Sequence, residues 1–488
     1  MAQQQLLAFG SVPYASPYYV VGKEECINLY LEKSITPSSK FSHYFVSIPG
    51  LKKFVNRVSD KFCRGLYRTS DSRLFGVFGE QFQEILQNGS RLVRGTIKTF
   101  SGTVNFSDNT RQVLLVDGDK GYIFDLVSNT FSQIDENTFP NGATHCTNID
   151  TYFIVNEPNS FRYNWSSVNN GLLWNPLDFA TKEGSPDNIV ALKELSNQLW
   201  VFGTYSTEVH YDTGDTTTQI WQRYEGAVID VGCAAKDSVC RIENKIFWLG
   251  SDKSGNVAIW SNEGLNPIKI STRGIEQVIQ ARVSDKSKAI GYTYAQAGHV
   301  FYILNFIGSD LTLVFDTTTL TWHTRSCLDT LGGETIWRGL YSAYVWDRNV
   351  FGDPYSDIVY EADVEYFQND LPENNALPNI KRVLTTPIIQ INQKRVRHNS
   401  LQVIFEQGKG LNLGFGIDPK VELKTSNDSG HSWTNSRVAD IGKIGQYDFR
   451  SRFLCLGHSR NRCYKITVTD PIQVILGGLV VDFEELGF

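Results

Sequence analysis

Short apolar runs broken by glycine and polar turns recur along the chain, and residues 197–224, NQLWVFGTYSTEVHYDTGDTTTQIWQRY, show the unit most plainly. Leu199, Trp200, Val201 and Phe202 are bulky residues of high strand preference. They stop at Gly203, which can take turn dihedrals denied to residues bearing a Cβ. The next run alternates, so Val209 and Tyr211 share one face and Glu208 and His210 the other. It ends in the turn cluster Asp212, Thr213, Gly214, Asp215, and residues 220–224 supply a third strand.

The same unit returns elsewhere. Apolar cores begin at Leu74, Val113, Tyr152, Leu199, Ile246 and Val300, at intervals of 39, 39, 47, 47 and 54 residues. Each is followed by Gly, Asp or Asn, and often by a clear second strand, as at 120–125 and 311–316. A strand-rich period of this length predicts propeller blades, small antiparallel sheets that bury both faces only against their neighbours. Six blades are counted, and a seventh would have to draw on the weak run DIVY at 357–360. A pair of β-sandwiches would give similar local turn spacing, but the longer period favours the propeller.

The expected fold is therefore all-β: a β-propeller with an extended N-terminal arm and a C-terminal β module. Residues 1–60, punctuated by prolines and short of regular runs, read as the arm; 61–366 form the propeller. The polar stretch 367–380 is a linker or exposed loop, and 381–488 a β-rich module, although a terminal strand could also close the propeller ring.

Composition narrows the function classes. Of 488 residues, 41% are hydrophobic, 20% charged and 12% aromatic, as in a soluble globular protein with an aromatic bias. The net charge of −6 and the lack of a long Lys/Arg block argue against a grip on a nucleic-acid backbone. Eight scattered cysteines without a C-x-x-C pair read as free thiols of a reducing cytoplasm, while Cys233/Cys240 and Cys455/Cys463 could bridge adjacent strands. The first residues carry no secretion-signal pattern and no later run is long enough for a membrane segment, so synthesis in a cytoplasm is expected.

Candidate chemistry is sparse. Ser426, Asp428, Gly430 and Trp433 match the Asp-box, a hairpin turn in which the Asp accepts backbone hydrogen bonds, the Gly takes a positive φ and the Trp packs beneath. The acidic pairs Glu361/Asp363 and Glu484/Glu485 are what a glycosidase would need, yet ordinary surface charge supplies such pairs. The eight histidines lack metal-ligand spacing, and His145-Cys146 stands isolated. No phosphate loop, nucleophile elbow or dinucleotide fingerprint occurs, and the basic run 394–398 reads as a solvated strand face. No catalytic residue, cofactor or metal is expected.

Phe202 and Gly203, with Ser206, Thr207, Glu208 and Gly214, resemble the central signature of the packaged-DNA stabilisation proteins, the tail hub or nozzle proteins of short-tailed bacteriophages. Asn28, Leu29 and Tyr30 with SIPGL at 47–51 are similar to that family's N-terminal pattern. Residues 314–316 followed by Trp322 are similar to its late propeller segment, and the Asp-box with IGKIG at 441–445, Leu456-Gly457 and Asp470-Pro471 to a C-terminal segment of phage tail proteins. The resemblance implies a structural virion protein rather than an enzyme. It would form a homohexameric ring below the portal and its adaptor ring, closing the DNA exit channel. Fibres or tailspikes would be carried outside, a needle or plug would close the tail, and DNA would pass without specific binding. The competing readings are a sialidase-like propeller glycosidase and a glycan-binding, receptor-recognising propeller.

Overall fold

The computed structural model describes residues 3–7, 24–34, 41–215, 220–372, 377–390 and 394–486. Seven antiparallel sheets follow one another along the chain, at 63–96, 105–133, 146–181, 189–229, 232–269, 289–324 and 340–363. We number them blades 1 to 7. The six apolar runs found by periodicity all lie in the second strand of their blade, for example Leu74–Phe78, Tyr152–Asn156 and Gln198–Gly203. Such a strand is buried on both faces because its sheet is clasped between two others.

The cores between blades run in a closed cycle. Phe75 and Phe82 of blade 1 meet Val113 and Phe124 of blade 2, Leu114 and Ile123 meet Phe153, and Ile154 and Trp165 meet Leu199 and Val201. Trp200 and Phe202 pack on Trp248, Phe247 and Leu249 on Tyr302 and Phe315, and Tyr292 and Phe301 on Phe351 and Tyr360. Val350 and Val359 of blade 7 then reach Cys63, Leu66 and Leu74 of blade 1. The one α-helix among the described residues, Arg273–Arg282, seats Ile279 in the core of blades 5 and 6.

The count of six is thus one short. In blade 7 the second strand, Arg348–Asp353, has only Val350 and Phe351 before Gly352, too short an apolar run to register against the others. The run at 357–360 lies in the third strand, Ser356–Asp363. The fourth strand is Gly50–Val55, from the region assigned to the arm, pairing Leu51 with Ala362 and Val55 with Val359. The ring is closed by joining the two ends of the propeller sequence in one sheet.

The other described strands of the arm are built into the C-terminal module, a β-sandwich. Leu29–Lys33 and His43–Ser47 extend the sheet that contains Ile475–Glu485, Val396–Phe405 and Ser451–Leu454, and the backbone of Gln3–Leu7 pairs with the same long strand. Cys26–Ile27 lies between the last strand of blade 6 and Arg382–Thr385, so blade 6 and the second sandwich sheet are continuous. Leu29, Leu31 and Phe45 share one core with Leu401, Leu423, Ile466 and Leu479. The described part of the stretch read as a linker or exposed loop is pinned instead: Leu51 donates its N–H to Asn369 Oδ1 at 3.1 Å and accepts from the Asp370 N–H at 2.8 Å, while Leu371 and Ile380 are buried.

Candidate functional site

The signature segment builds a buried polar cluster at the end of blade 4. Phe202 belongs to the core shared with blade 5, its ring 5.4 Å from that of Trp248. At Gly203 the strand turns, and its N–H donates to the Ser206 carbonyl at 2.7 Å. A Cβ there would fall 2.4 to 2.7 Å from the Asp187 carboxylate. Asp187 arrives from the loop between blades 3 and 4. It accepts hydrogen bonds from Ser206 Oγ at 2.6 Å, Tyr205 N at 2.8 Å, Thr204 Oγ1 at 3.1 Å and Ser206 N at 3.2 Å. Lys182, wholly buried, pairs with Asp187, contacts Ser206 Oγ and donates to the Ser185 carbonyl at 2.6 Å. Burial pushes the Asp187 carboxyl up, but the Lys182 ammonium and the Ser206 and Tyr205 donors more than reverse this and hold it below the usual carboxylate range.

Glu208 and His210 do share a face, as alternation requires, and that face turns inward to Tyr163 of blade 3. Glu208 accepts from the Ser185 N–H at 3.1 Å and from His210 Nε2 at 3.3 Å, with Arg223 at 3.9 Å. Tyr163 Oη and His210 Nδ1 lie 2.9 Å apart. Burial raises the Glu208 carboxyl, and His210 and the Ser185 amide bring it back below its ordinary value. Ion pairs and hydrogen bonds therefore tie the loop 182–187 to the hairpin that follows. Gly214 stands apart at the far, exposed turn, with φ +75° and no described residue within 4 Å of a Cβ.

The Asp-box lies in the sandwich, between Lys420–Ser426 and Arg437–Asp440. Ser426 Oγ donates to Asp428 Oδ1 at 2.7 Å and accepts from Gly430 N at 2.8 Å. The carboxylate also accepts from Ser432 N at 2.9 and 3.0 Å and from its hydroxyl at 2.5 Å. The Ser432 and Ser426 donors hold the Asp428 carboxyl well below the usual range. Gly430 has φ +98°, and Trp433 is half-buried with the Lys465 ammonium 4.6 Å over its ring. This geometry fastens a turn.

The acidic pairs are engaged by cations: Lys52 reaches Glu361 at 3.4 Å and Asp363 at 2.9 Å, Arg348 reaches Glu361 at 2.9 Å, and Lys394 reaches Glu485 at 2.8 Å. Sequence reasoning missed Lys182 and Asp187, whose only trace is that Gly203 requires a close neighbour without saying which. It also missed His299, which lies 2.6 Å from Glu32 of the arm and 2.7 Å from Asp316 of blade 6.

Two family models cover the chain: "Bacteriophage P22 Gp10, beta-propeller" over residues 26–366 and "Bacteriophage P22 Gp10, beta-sandwich" over 381–484. None of the curated proteins compared matches it. Among solved structures, a streptogramin B lyase is 10% identical over 64% of this chain and 96% of its own, with a TM-score of 0.41. The N-terminal domain of Nup159 is 10% identical over 69% and 98%, also at 0.41. The WD40 β-propeller domain of Doa1 is 8% identical over 65% and 98%, at 0.39. Superpositions this loose carry no argument about function. The family models span both domains, and the chain belongs to the bacteriophage P22 Gp10 family of structural phage proteins, a β-propeller joined to a β-sandwich.

Proposed function

We propose that the chain is the repeating subunit of a homohexameric ring in the virion tail, below the portal and its adaptor ring. The ring encloses the DNA exit channel and retains packaged DNA by closure. Fibres or tailspikes attach outside it, and a needle or plug completes the seal. The observation that carries this reading is the narrow axis of the propeller. The spaces along it measure about 520 and 270 Å³, and Asp237, Ile290 and Tyr341 border both. A duplex whose major groove alone is about 12 Å wide has no passage there. A DNA path must then run between copies of the chain, which a ring supplies.

The net charge of −6 supports passage without adhesion, since no excess of cations is available to displace counterions from phosphate. Negative-stain imaging of the purified protein, alone and mixed with a portal–adaptor assembly, should show rings that dock on the adaptor. A monomer inert to the adaptor would refute the assignment. Tight, salt-sensitive DNA binding by the isolated ring would refute retention by closure.

A further inference from the structure

The innermost strands of all seven blades line an axial chamber of about 270 Å³, and its chemistry is lopsided. On blade 3, His145 is 2% exposed, and its Nδ1 accepts the Leu192 N–H at 3.3 Å, which fixes the ring proton on Nε2. Burial, with Lys193 and Lys236 nearby, keeps this imidazole neutral. Nε2–H is then a hydrogen-bond donor without a partner among the described residues. On blade 2, Asn105 Oδ1 accepts the Cys146 N–H at 3.0 Å, so the amide NH2 is the end left over. On blade 4, the half-buried Lys193 makes no hydrogen bond or ion pair among the described residues. Asp237 is the only acid among the described residues lining the chamber. Its Oδ2 accepts from the Thr103 hydroxyl at 2.9 Å, and Lys236 lies 3.4 Å from the same oxygen and offsets its charge.

Donors on three neighbouring blades thus line one axial space whose single carboxylate, among the described residues, is paired with a lysine. We propose that this chamber binds a small oxyanion, of the phosphate or carboxylate class. Lys193 is the counter-charge, and the His145 Nε2–H and Asn105 NH2 are oriented donors. A lysine held in a cavity without a partner is unfavourable, and an anion turns that liability into charge-assisted hydrogen bonds. The inference is independent of ring formation, since each chain contains the whole site.

The test is thermal unfolding of the full chain with inorganic phosphate, and in parallel with citrate, titrated at constant ionic strength against sodium chloride. The midpoint should rise with one of them as binding to the folded state requires, and which one responds identifies the class. Lys193→Met removes the charge and keeps the apolar stem. It should fold with an unliganded midpoint at or above that of the wild type and bind about tenfold more weakly or worse. No rise beyond the chloride control with either anion, or an equal rise in Lys193→Met, would overturn the proposal. Should the variant fail to fold, the nitrogen-15 shift of His145 Nε2 in the wild-type chain decides: movement on adding phosphate or citrate supports the site, and a fixed signal refutes it.

Discussion

Gly203→Ala tests the buried cluster most directly. The added methyl would lie 2.4 Å from Asp187 Oδ2, 2.6 Å from its Cγ and 2.7 Å from Oδ1. The carboxylate must therefore move, and it cannot move alone, because Ser206, Tyr205, Thr204 and Lys182 all hold it. Displacement leaves Lys182 wholly buried with its ion pair broken, a loss of about 3–5 kcal/mol. Alanine restricts the unfolded chain and returns about 0.4–1 kcal/mol. A net loss of about 2–4 kcal/mol remains, or about 3–6 °C in the melting midpoint of a domain this large. Gly214→Ala is the control: with φ +75° and no described residue near its added methyl, it carries the left-handed backbone cost, about 1 kcal/mol. Calorimetry of the two variants should rank Gly203→Ala well below Gly214→Ala. Equal midpoints would refute the cluster's role. The pH dependence adds a second check. Asp187 has a depressed carboxyl in the folded state, so its contribution is present above about pH 4 and is lost as pH falls through the lower folded value. In Gly203→Ala that acid-side loss should shrink.

Two further outcomes are expected. Burial lowers the His299 imidazole pKa, but Asp316 and Glu32 more than reverse this and leave it raised; its contribution is therefore full below about pH 6.5 and lost as pH rises through the folded value. Hydrogen exchange in Leu29–Lys33, corrected for intrinsic rate, should quicken on the alkaline side, and Glu32→Gln should remove most of that change; pH-independent protection would refute the clamp. Asn28→Ala should cost about 3–5 kcal/mol through unsatisfied buried backbone groups and a left-handed φ of 56°. It should also split one calorimetric transition into two, whereas an unaltered single transition would contradict a tie between propeller and sandwich through Asn28.

The propeller was legible because a blade's second strand is buried on both faces, so runs such as LWVF at 199–202 stand out with a regular period. Blade 7 escaped that test because its second strand is polar at one end and its fourth strand comes from about 300 residues earlier in the chain. No local pattern announces a partner so far away. The same limit hid the polar cluster. The alternation of Glu208 and His210 was visible, but Tyr163 reaches His210 from blade 3, and the loop between the blades brings Ser185 to Glu208 and Lys182 and Asp187 to Ser206. The Asp-box was readable because the side-chain hydrogen bonds of Ser426 and Asp428 fall within seven residues, 426 to 432.

Asn28 shows why the arm matters to both domains. It is fully buried and takes a left-handed φ, which Asn tolerates better than most residues with a side chain. Its side-chain amide donates to the Ser326 carbonyl at 3.1 Å and to the Lys381 carbonyl at 2.8 Å, and its Oδ1 accepts the Ser326 N–H at 2.9 Å. One residue of the arm thereby fastens the chain leaving blade 6 to the first residue of the sandwich sequence. On its C-terminal side Gly50–Val55 closes blade 7, and between the two Leu29–Lys33 and His43–Ser47 complete a sandwich sheet. A pull on either domain is carried through paired strands into the other, since separating them means stripping Cys26–Ile27 from one of its two neighbours. For a structural protein of a phage particle, that arrangement makes the propeller and the sandwich one mechanical unit. The resemblance of the segment around Asn28 to the family's N-terminal pattern then has a physical basis in a tie that few other residues can make.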